Sequence, residues 1–304
     1  MSYAQIAAKL RCDEIIILDG GTGTDIQRRG APMSGDTWCA DVNLTHPDIV
    51  RAVHRDYIQA GAEIITANTF ATSPIVFGHI GRANDVARID AVAVALAREA
   101  AAGTNACVAG SISTMRPVEA GTDHSDRSSV LNEYDARALF RAKANGLKAG
   151  GCDLIMLEMM RDTDYAVWAS EAALDTGLPV WIGLSAERGR DGRLLGWGRD
   201  DCDFDDIARV LAALKPSVMM VMHTSPNDTT EALTIVRKYW PGPIATYPEC
   251  GYFKSPDWEF IDVIPPEELV RKAHDWRHLG ASIFGGCCGI GPDHIAALAR
   301  EFRS

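Results

Sequence analysis

The stretch AGAEIITANTF, residues 60–70, holds a helix end, a turn and a strand in one short run. Gly61 reads as the left-handed residue that closes a helix. The apolar EIITA (63–67) shows no alternation, as expected of a strand buried on both faces. The same form returns as AGGCD (149–153) and LGASI (279–283). Further apolar runs at IIIL (15–18), ACVAG (106–110), DLIMLE (153–158), PVWIGL (179–184), SVMMVM (217–222), PIAT (243–246) and ASIFG (281–285) bring the number of predicted strands to eight. Helical patterns alternate with them at 47–60, 83–102, 133–149, 163–176, 204–215, 228–239, 266–279 and 292–303. Pro47-Asp48 and Pro292-Asp293 mark helix starts, and Gly61, Gly103, Gly150, Gly177 and Gly280 mark helix ends. Strand and helix repeated eight times over ~250 residues is the arithmetic of a (β/α)8 TIM barrel. A doubly wound open sheet also alternates β and α. The count of eight, with no segment left over, favours one barrel spanning residues 1–304.

Composition bounds the function. The chain has 304 residues, 47% hydrophobic and 23% charged, with a formal net charge of −11. That charge argues against a nucleic-acid surface, which wants a basic stripe. No apolar run approaches the ~20 residues of a membrane span. The opening MSYAQIAAKLRCDE lacks the apolar segment of a signal peptide, so a cytoplasmic location is expected. Thiols stay reduced there, and the 8 cysteines then serve packing, metal binding or catalysis rather than disulfides.

In a barrel of this type the site lies at the carboxyl ends of the strands. Asp19-Gly20-Gly21-Thr22-Gly23 follow the first strand, Asn68-Thr69-Phe70 the second, and Ser111 and Ser113 the third. Glu158 ends the fourth, Ser185 follows the fifth and His223-Thr224 the sixth. Tyr247, Glu249 and Cys250 lie beyond the seventh, and Gly286-Cys287-Cys288-Gly289 beyond the eighth. Two thiols from one strand end and an imidazole from another form a donor set for Zn2+. Three protein ligands with one open position is the catalytic pattern. Cys287, Cys288 and His223 are the expected metal ligands, with Cys250, Glu249 and Tyr247 as neighbours of the centre. Cys39 sits in the long connection 19–46 near the mouth. Cys12, Cys107, Cys152 and Cys202 read as packing or surface residues. The second long connection, 111–132, is expected to be functional or mobile.

These blocks closely resemble the zinc-dependent homocysteine S-methyltransferase family, over nearly the whole chain. ILDGGTGTDIQRRG (17–30) resembles its opening strand and turn, and TWCADVNLTHPDIVRAVHRDYIQAGAEIITANTF (37–70) its second block. GCDLIMLEMMRD (151–162) is similar to its strand ending in glutamate, and GGCCGIGPDHIAAL (285–298) to its zinc turn. The resemblance implies Cys287 and Cys288 as zinc ligands. It implies Asp19, Gly20, Gly21, Thr69 and Glu158 as holders of the amino-acid end of homocysteine. Trp38 corresponds to an aromatic near the methyl-donor pocket, where a ring face attracts an onium cation.

The expected activity is therefore methyl transfer from an onium donor, S-methylmethionine, betaine or similar, to the thiol of homocysteine, giving methionine. The partners are small molecules. A diverged barrel acting on another thiol or methylated substrate, or a non-catalytic metal- or thiol-binding protein, are the alternatives. The chain departs from the family pattern at two strand ends and in the loop SISTMRPVEAG (111–121), which lacks the family's usual glycine-rich form. The family's Ile-Asn-Cys-Thr is Val221-Met222-His223-Thr224, which puts His223 where a third zinc cysteine is expected. Its Tyr-Pro-Asn-Ser-Gly is Tyr247-Pro248-Glu249-Cys250-Gly251. Imidazole in place of thiolate leaves the metal one charge more positive.

Overall fold

A computed structural model describes residues 3–118, 126, 130–254 and 259–303. Its eight parallel strands are β1 (Ile16–Ile17), β2 (Ile64–Thr66), β3 (Cys107–Ser113), β4 (Leu154–Met160), β5 (Val180–Leu184), β6 (Val218–Met222), β7 (Ile244–Tyr247) and β8 (Ala281–Phe284). They pair in the order β1-β8-β7-β6-β5-β4-β3-β2. A parallel bridge between Leu18 and Ile64 joins the two ends and closes the cylinder. The (β/α)8 barrel expected from the sequence is the observed fold, and each expected strand overlaps an observed one.

Alternate residues of each strand face two different cores. Ile16, Leu18, Ile64, Cys107, Leu154, Met156, Trp181, Met220, Met222 and Ile283 fill the barrel interior. Ile17, Ile65, Val108, Ile155, Leu157, Ile182, Met219 and Val221 pack outward against the helices. This double burial is why the strands read as unbroken apolar runs. The helix Tyr3–Arg11, absent from the sequence reading, places Ile6 and Tyr3 against the interior cluster. The Trp181 indole donates to the Tyr3 hydroxyl at 2.9 Å, sealing that end. The interior is packed, and open space lies at the opposite rim.

The connection 19–46 carries two short helices, Thr22–Arg28 and Val42–Thr45. The connection 111–132 lies partly outside the described residues. Two antiparallel hairpins decorate the rim, Ala186–Arg188 with Leu194–Gly196 and Tyr252–Lys254 with Glu259–Ile261.

One buried charge anchors the loop after β2. Lys143, on the helix Glu133–Ala149, is fully buried. Its Nζ donates to the Thr69 and Thr72 carbonyls at 2.9 and 3.0 Å and to both Asp90 carboxylate oxygens at 3.0 and 2.9 Å. Removing one partner of such a pair leaves a buried charge uncompensated. Lys143→Met is expected to lower unfolding free energy by about 3–5 kcal/mol in chemical denaturation. Asp90→Asn with Lys143→Met together should recover part of the loss.

Candidate active site and metal centre

The Cys287–Cys288 turn is held between two other strand ends by backbone contacts. The Cys287 N–H donates to the Pro248 carbonyl at 2.7 Å, and the Cys250 N–H to the Cys288 carbonyl at 2.9 Å. On the opposite side Gly21 lies so close that a Cβ there would stand 2.5 Å from the Cys287 carbonyl oxygen. Gly289 has φ +86°, and a Cβ on it would stand 2.0 Å from the Cys250 oxygen. Glycine at these two positions lets three backbone segments meet.

The turn presents its two sulfurs 3.9 Å apart. His223 follows β6 directly, has φ +41°, and donates its backbone N–H to the Tyr247 carbonyl at 3.0 Å. Its Nδ1 lies 3.6 Å from the Cys287 sulfur. All three ligand atoms fall within 4.8 Å of one another, the one such metal-competent group among the described residues. With Zn–S ~2.3 Å and Zn–N ~2.0–2.1 Å, a tetrahedron has S–S edges of ~3.8 Å and S–N edges of ~3.6 Å. The two measured separations match those edges. Sulfur and imidazole donors suit zinc and disfavour the oxygen-seeking cations. The Cys287 thiol is raised well above its ordinary pKa, first by the adjacent Cys288 and then by burial, with His223 opposing. Paired thiols of this kind take a cation by releasing protons.

Beside the three donors opens a cavity of about 110 Å³, open to solvent. Gly20, Gly21, Glu158, Tyr247, Cys287, Cys288 and His223 line its inner part. Trp38, Phe70, Trp197 and Phe260 give it an aromatic wall. Glu158 keeps the interior-facing parity of Leu154 and Met156. A register shift in β4 follows, with Met159 at φ +57°, and Met160 then packs outward. This is a bulge at a strand end, a device that aims one side chain and ends the alternation. Burial pushes the Glu158 carboxyl up to about 7; Ser111 and His223 oppose the rise and Asp19 adds to it.

Other predicted residues stand behind this wall. Asp19 is fully buried, and its carboxylate accepts the Thr66 backbone N–H and the Tyr247 hydroxyl, the latter at 2.8 Å. Burial raises its pKa to about 6 against these bonds. Tyr247 thus ties β1 to β7 while its ring faces the cavity. The Gly21 N–H is taken by the Ile290 carbonyl at 2.9 Å. The Thr69 hydroxyl donates to the Ser111 carbonyl and accepts the Ser111 N–H, each at 2.9 Å. Thr69 is fully buried, and its neighbours Asn68 and Phe70 line the cavity. Trp38 meets Phe70 edge to face at 6.1 Å. Cys250 is buried in the outer core, outside the three-donor group. Glu249 approaches His223, Oε2 to Nε2 at 3.3 Å.

Several wall residues, Trp197, Phe260 and Arg161 among them, were not read from the sequence, whereas Thr22 was placed after the first strand. Trp197 packs its ring 4.7 Å from the His223 ring at 71°. It follows the rim hairpin, and no periodic signal marks that insertion. Thr22 lines the cavity, and its buried hydroxyl has no partner. Arg161 lines the cavity as well; burial lowers its pKa to about 10, against Asp162 and with Arg116 and Arg199.

Fold and constellation together define a (β/α)8 barrel with a sulfur- and nitrogen-lined cavity at the carboxyl ends of its strands. The family model described as homocysteine S-methyltransferase matches residues 16–302. The chain belongs to this family and is an S-methyltransferase. It is 27% identical over 315 residues to betaine–homocysteine S-methyltransferase 1 of Mus musculus, covering 97% of this chain and 74% of that protein. It is 26% identical over 311 residues to homocysteine S-methyltransferase 4 of Zea mays, covering 94% and 89%. Among solved structures, the metallated form of the homocysteine methyltransferase MmuM from Escherichia coli aligns with TM-score 0.75 and 24% identity, over 95% of this chain and 96% of that one. That last likeness is one of fold.

The packing of Gly21 on the cysteine turn gives a direct test. Gly21→Ala is expected to keep the far-UV circular dichroism of the barrel while weakening metal binding at least about tenfold in a chelator competition, because a backbone oxygen must move.

Proposed function

We propose that the chain transfers a methyl group from an onium donor to the thiol of homocysteine, giving methionine, and that His223, Cys287 and Cys288 hold a zinc ion for this reaction. The observation that carries the reading is one cavity joining three elements. These are the S,S,N donor set, a buried carboxyl at Glu158, and an aromatic wall. Bound zinc supplies the Lewis acidity that keeps a substrate thiol as its thiolate at neutral pH.

Glu158 accepts the ammonium of the amino acid. Thr22, with its unpartnered hydroxyl on the same cavity, donates to the substrate carboxylate. Trp38, Phe70 and Trp197 place ring faces toward the positive sulfur or nitrogen of the donor and exclude water from it. The homocysteine sulfur attacks the methyl carbon in line, the new S–C bond forms, and the donor's C–S or C–N bond breaks. The leaving group departs neutral with the electron pair, and the thiol proton has already been released. Arg161 on the cavity wall favours donors that carry a carboxylate as well as the onium centre, such as S-methylmethionine or betaine. The relatives named for betaine and for homocysteine support the acceptor and the donor class. The whole chain works as one barrel unit in this reading. Its 8 free cysteines suit a reducing, cytoplasmic setting. No helix among the described residues is long and apolar enough to cross a membrane.

Freshly purified, reduced protein is expected to carry about one zinc per chain and to form methionine from homocysteine with one member of a panel of onium donors. Cys288→Ala should lose both. Full activity after exhaustive chelation would refute the metal role, and formation of a different thioether would redirect the acceptor.

A second test uses the product, which has no thiol proton. The Glu158 carboxyl titrates at about 7 in the free protein, and an ammonium favours its ionised form. Methionine affinity should therefore fall about tenfold for each pH unit below that value and level off above it. In Glu158→Gln the affinity should be lower and flat across the same range. An unchanged pH profile in this variant would remove Glu158 from the binding site.

A further inference from the structure

We infer that Glu249 is a positioning residue that makes His223 a metal ligand through Nδ1. The inference rests on the metal reading above and concerns which atom of the ring binds and what holds it there.

The two ring nitrogens of His223 face different partners. Nδ1 lies 3.6 Å from the Cys287 sulfur, and Nε2 lies 3.3 Å from Glu249 Oε2. Only one nitrogen of a neutral imidazole has a free lone pair, and the other carries the proton. A carboxylate at Nε2 places the proton there and leaves the Nδ1 lone pair toward the two sulfurs. A ligating imidazole whose other N–H is held by a carboxylate is better oriented and more basic.

Glu249 is not a mobile surface acid. The Pro248 carbonyl before it accepts the Cys287 N–H, and the Cys250 N–H after it donates to the Cys288 carbonyl. Its backbone is thus stitched on both sides to the turn that carries the sulfurs. Its side chain is 18% exposed, so its charge acts with little solvent screening. The ring is confined as well, by Trp197 at 4.7 Å and by the His223 backbone bond to Tyr247. Sulfurs, ring and carboxylate share one rigid frame. A divalent cation with two thiolates and a neutral imidazole has no net charge, and the Glu249 carboxylate adds one negative charge a single hydrogen bond away.

The test is zinc affinity, measured by competition with a chromophoric chelator, in four proteins: wild type, Glu249→Gln, His223→Cys and the double variant. Glu249→Gln should weaken zinc about 10–100-fold in the wild-type background. In the His223→Cys background the same change should cost less than about threefold, because a thiolate has no N–H to hold. Nitrogen-15 NMR of the zinc-loaded wild type should show His223 protonated at Nε2 alone, and Glu249→Asp should keep that tautomer. If Glu249→Gln costs nothing, or costs the same in both backgrounds, the inference fails while the metal reading stands. If the wild type binds no zinc, the metal reading fails and takes the inference with it.

Discussion

The site depends on the close meeting of three backbone segments at one end of the barrel. The turn after β8 is bonded to the segment after β7 and lies against the glycine turn after β1. Adjacent cysteines on a regular strand would point to opposite faces. The turn breaks that rule and brings both sulfurs to one side, 3.9 Å apart. A side chain at position 21 or 289 would push a carbonyl aside and carry a sulfur with it. The third donor arrives by the same logic. β6 and β7 are neighbours, and the bond from His223 N–H to Tyr247 O continues their ladder by one residue. Strand order thus sets ligand position, and packing of the barrel becomes accuracy at the centre.

Buried acids divide the work around that centre. Asp19 spends its oxygens on Thr66 and Tyr247 and so joins strand ends. Glu158 stands on the cavity wall with its pKa raised, first by burial. In the proposed reaction the substrate ammonium would supply the positive charge that this buried carboxyl lacks. The aromatic wall and Arg161 face the same space with the opposite preference, for a cation and for an anion. A zwitterionic onium compound satisfies both. In the proposed reaction the cavity would separate the ends of two zwitterions by chemistry, with the two sulfurs at its floor.

Much of this was legible in the residues. Double burial leaves unbroken apolar runs, so every barrel strand could be placed from IIIL to ASIFG. Glycines with positive φ at 61, 103, 177 and 280 marked helix ends that the structure retains. The convergence of Cys287, Cys288 and His223 followed from their common place after a strand. What stayed hidden depends on long-range packing. Thr69 sits at a strand end like a ligand-facing residue, yet its hydroxyl is consumed by the Ser111 backbone. Only the register between β2 and β3 reveals this. Trp197 enters from a hairpin inserted after β5, where a local run of Gly, Arg and Asp gives no sign of a cavity wall. The helix Tyr3–Arg11 has one buried residue, too little apolar signal to mark it before the barrel interior is there to receive Ile6.

Two of the departures from the family pattern, after β6 and after β7, are best understood as one. His223 stands where a third sulfur is expected, and Glu249 where an asparagine is expected. The structure brings these two side chains to 3.3 Å. Either change alone carries a cost. An imidazole in place of a thiolate removes a negative charge from beside the metal and adds an N–H that must be satisfied in a buried place. A carboxylate in place of an amide brings a charge beside two thiolates, which repel it. Made together, each answers the other: the N–H finds an acceptor and the charge finds a donor. In the inferred pairing, ring and carboxylate at 3.3 Å would form one unit of the same net charge as the sulfur it replaces, spread over a longer distance from the cation. In the proposed zinc site such a unit would leave the metal more electron-poor at close range than three sulfurs would. In the proposed reaction, a thiol brought to such a centre would be deprotonated more readily and its sulfur would be less nucleophilic.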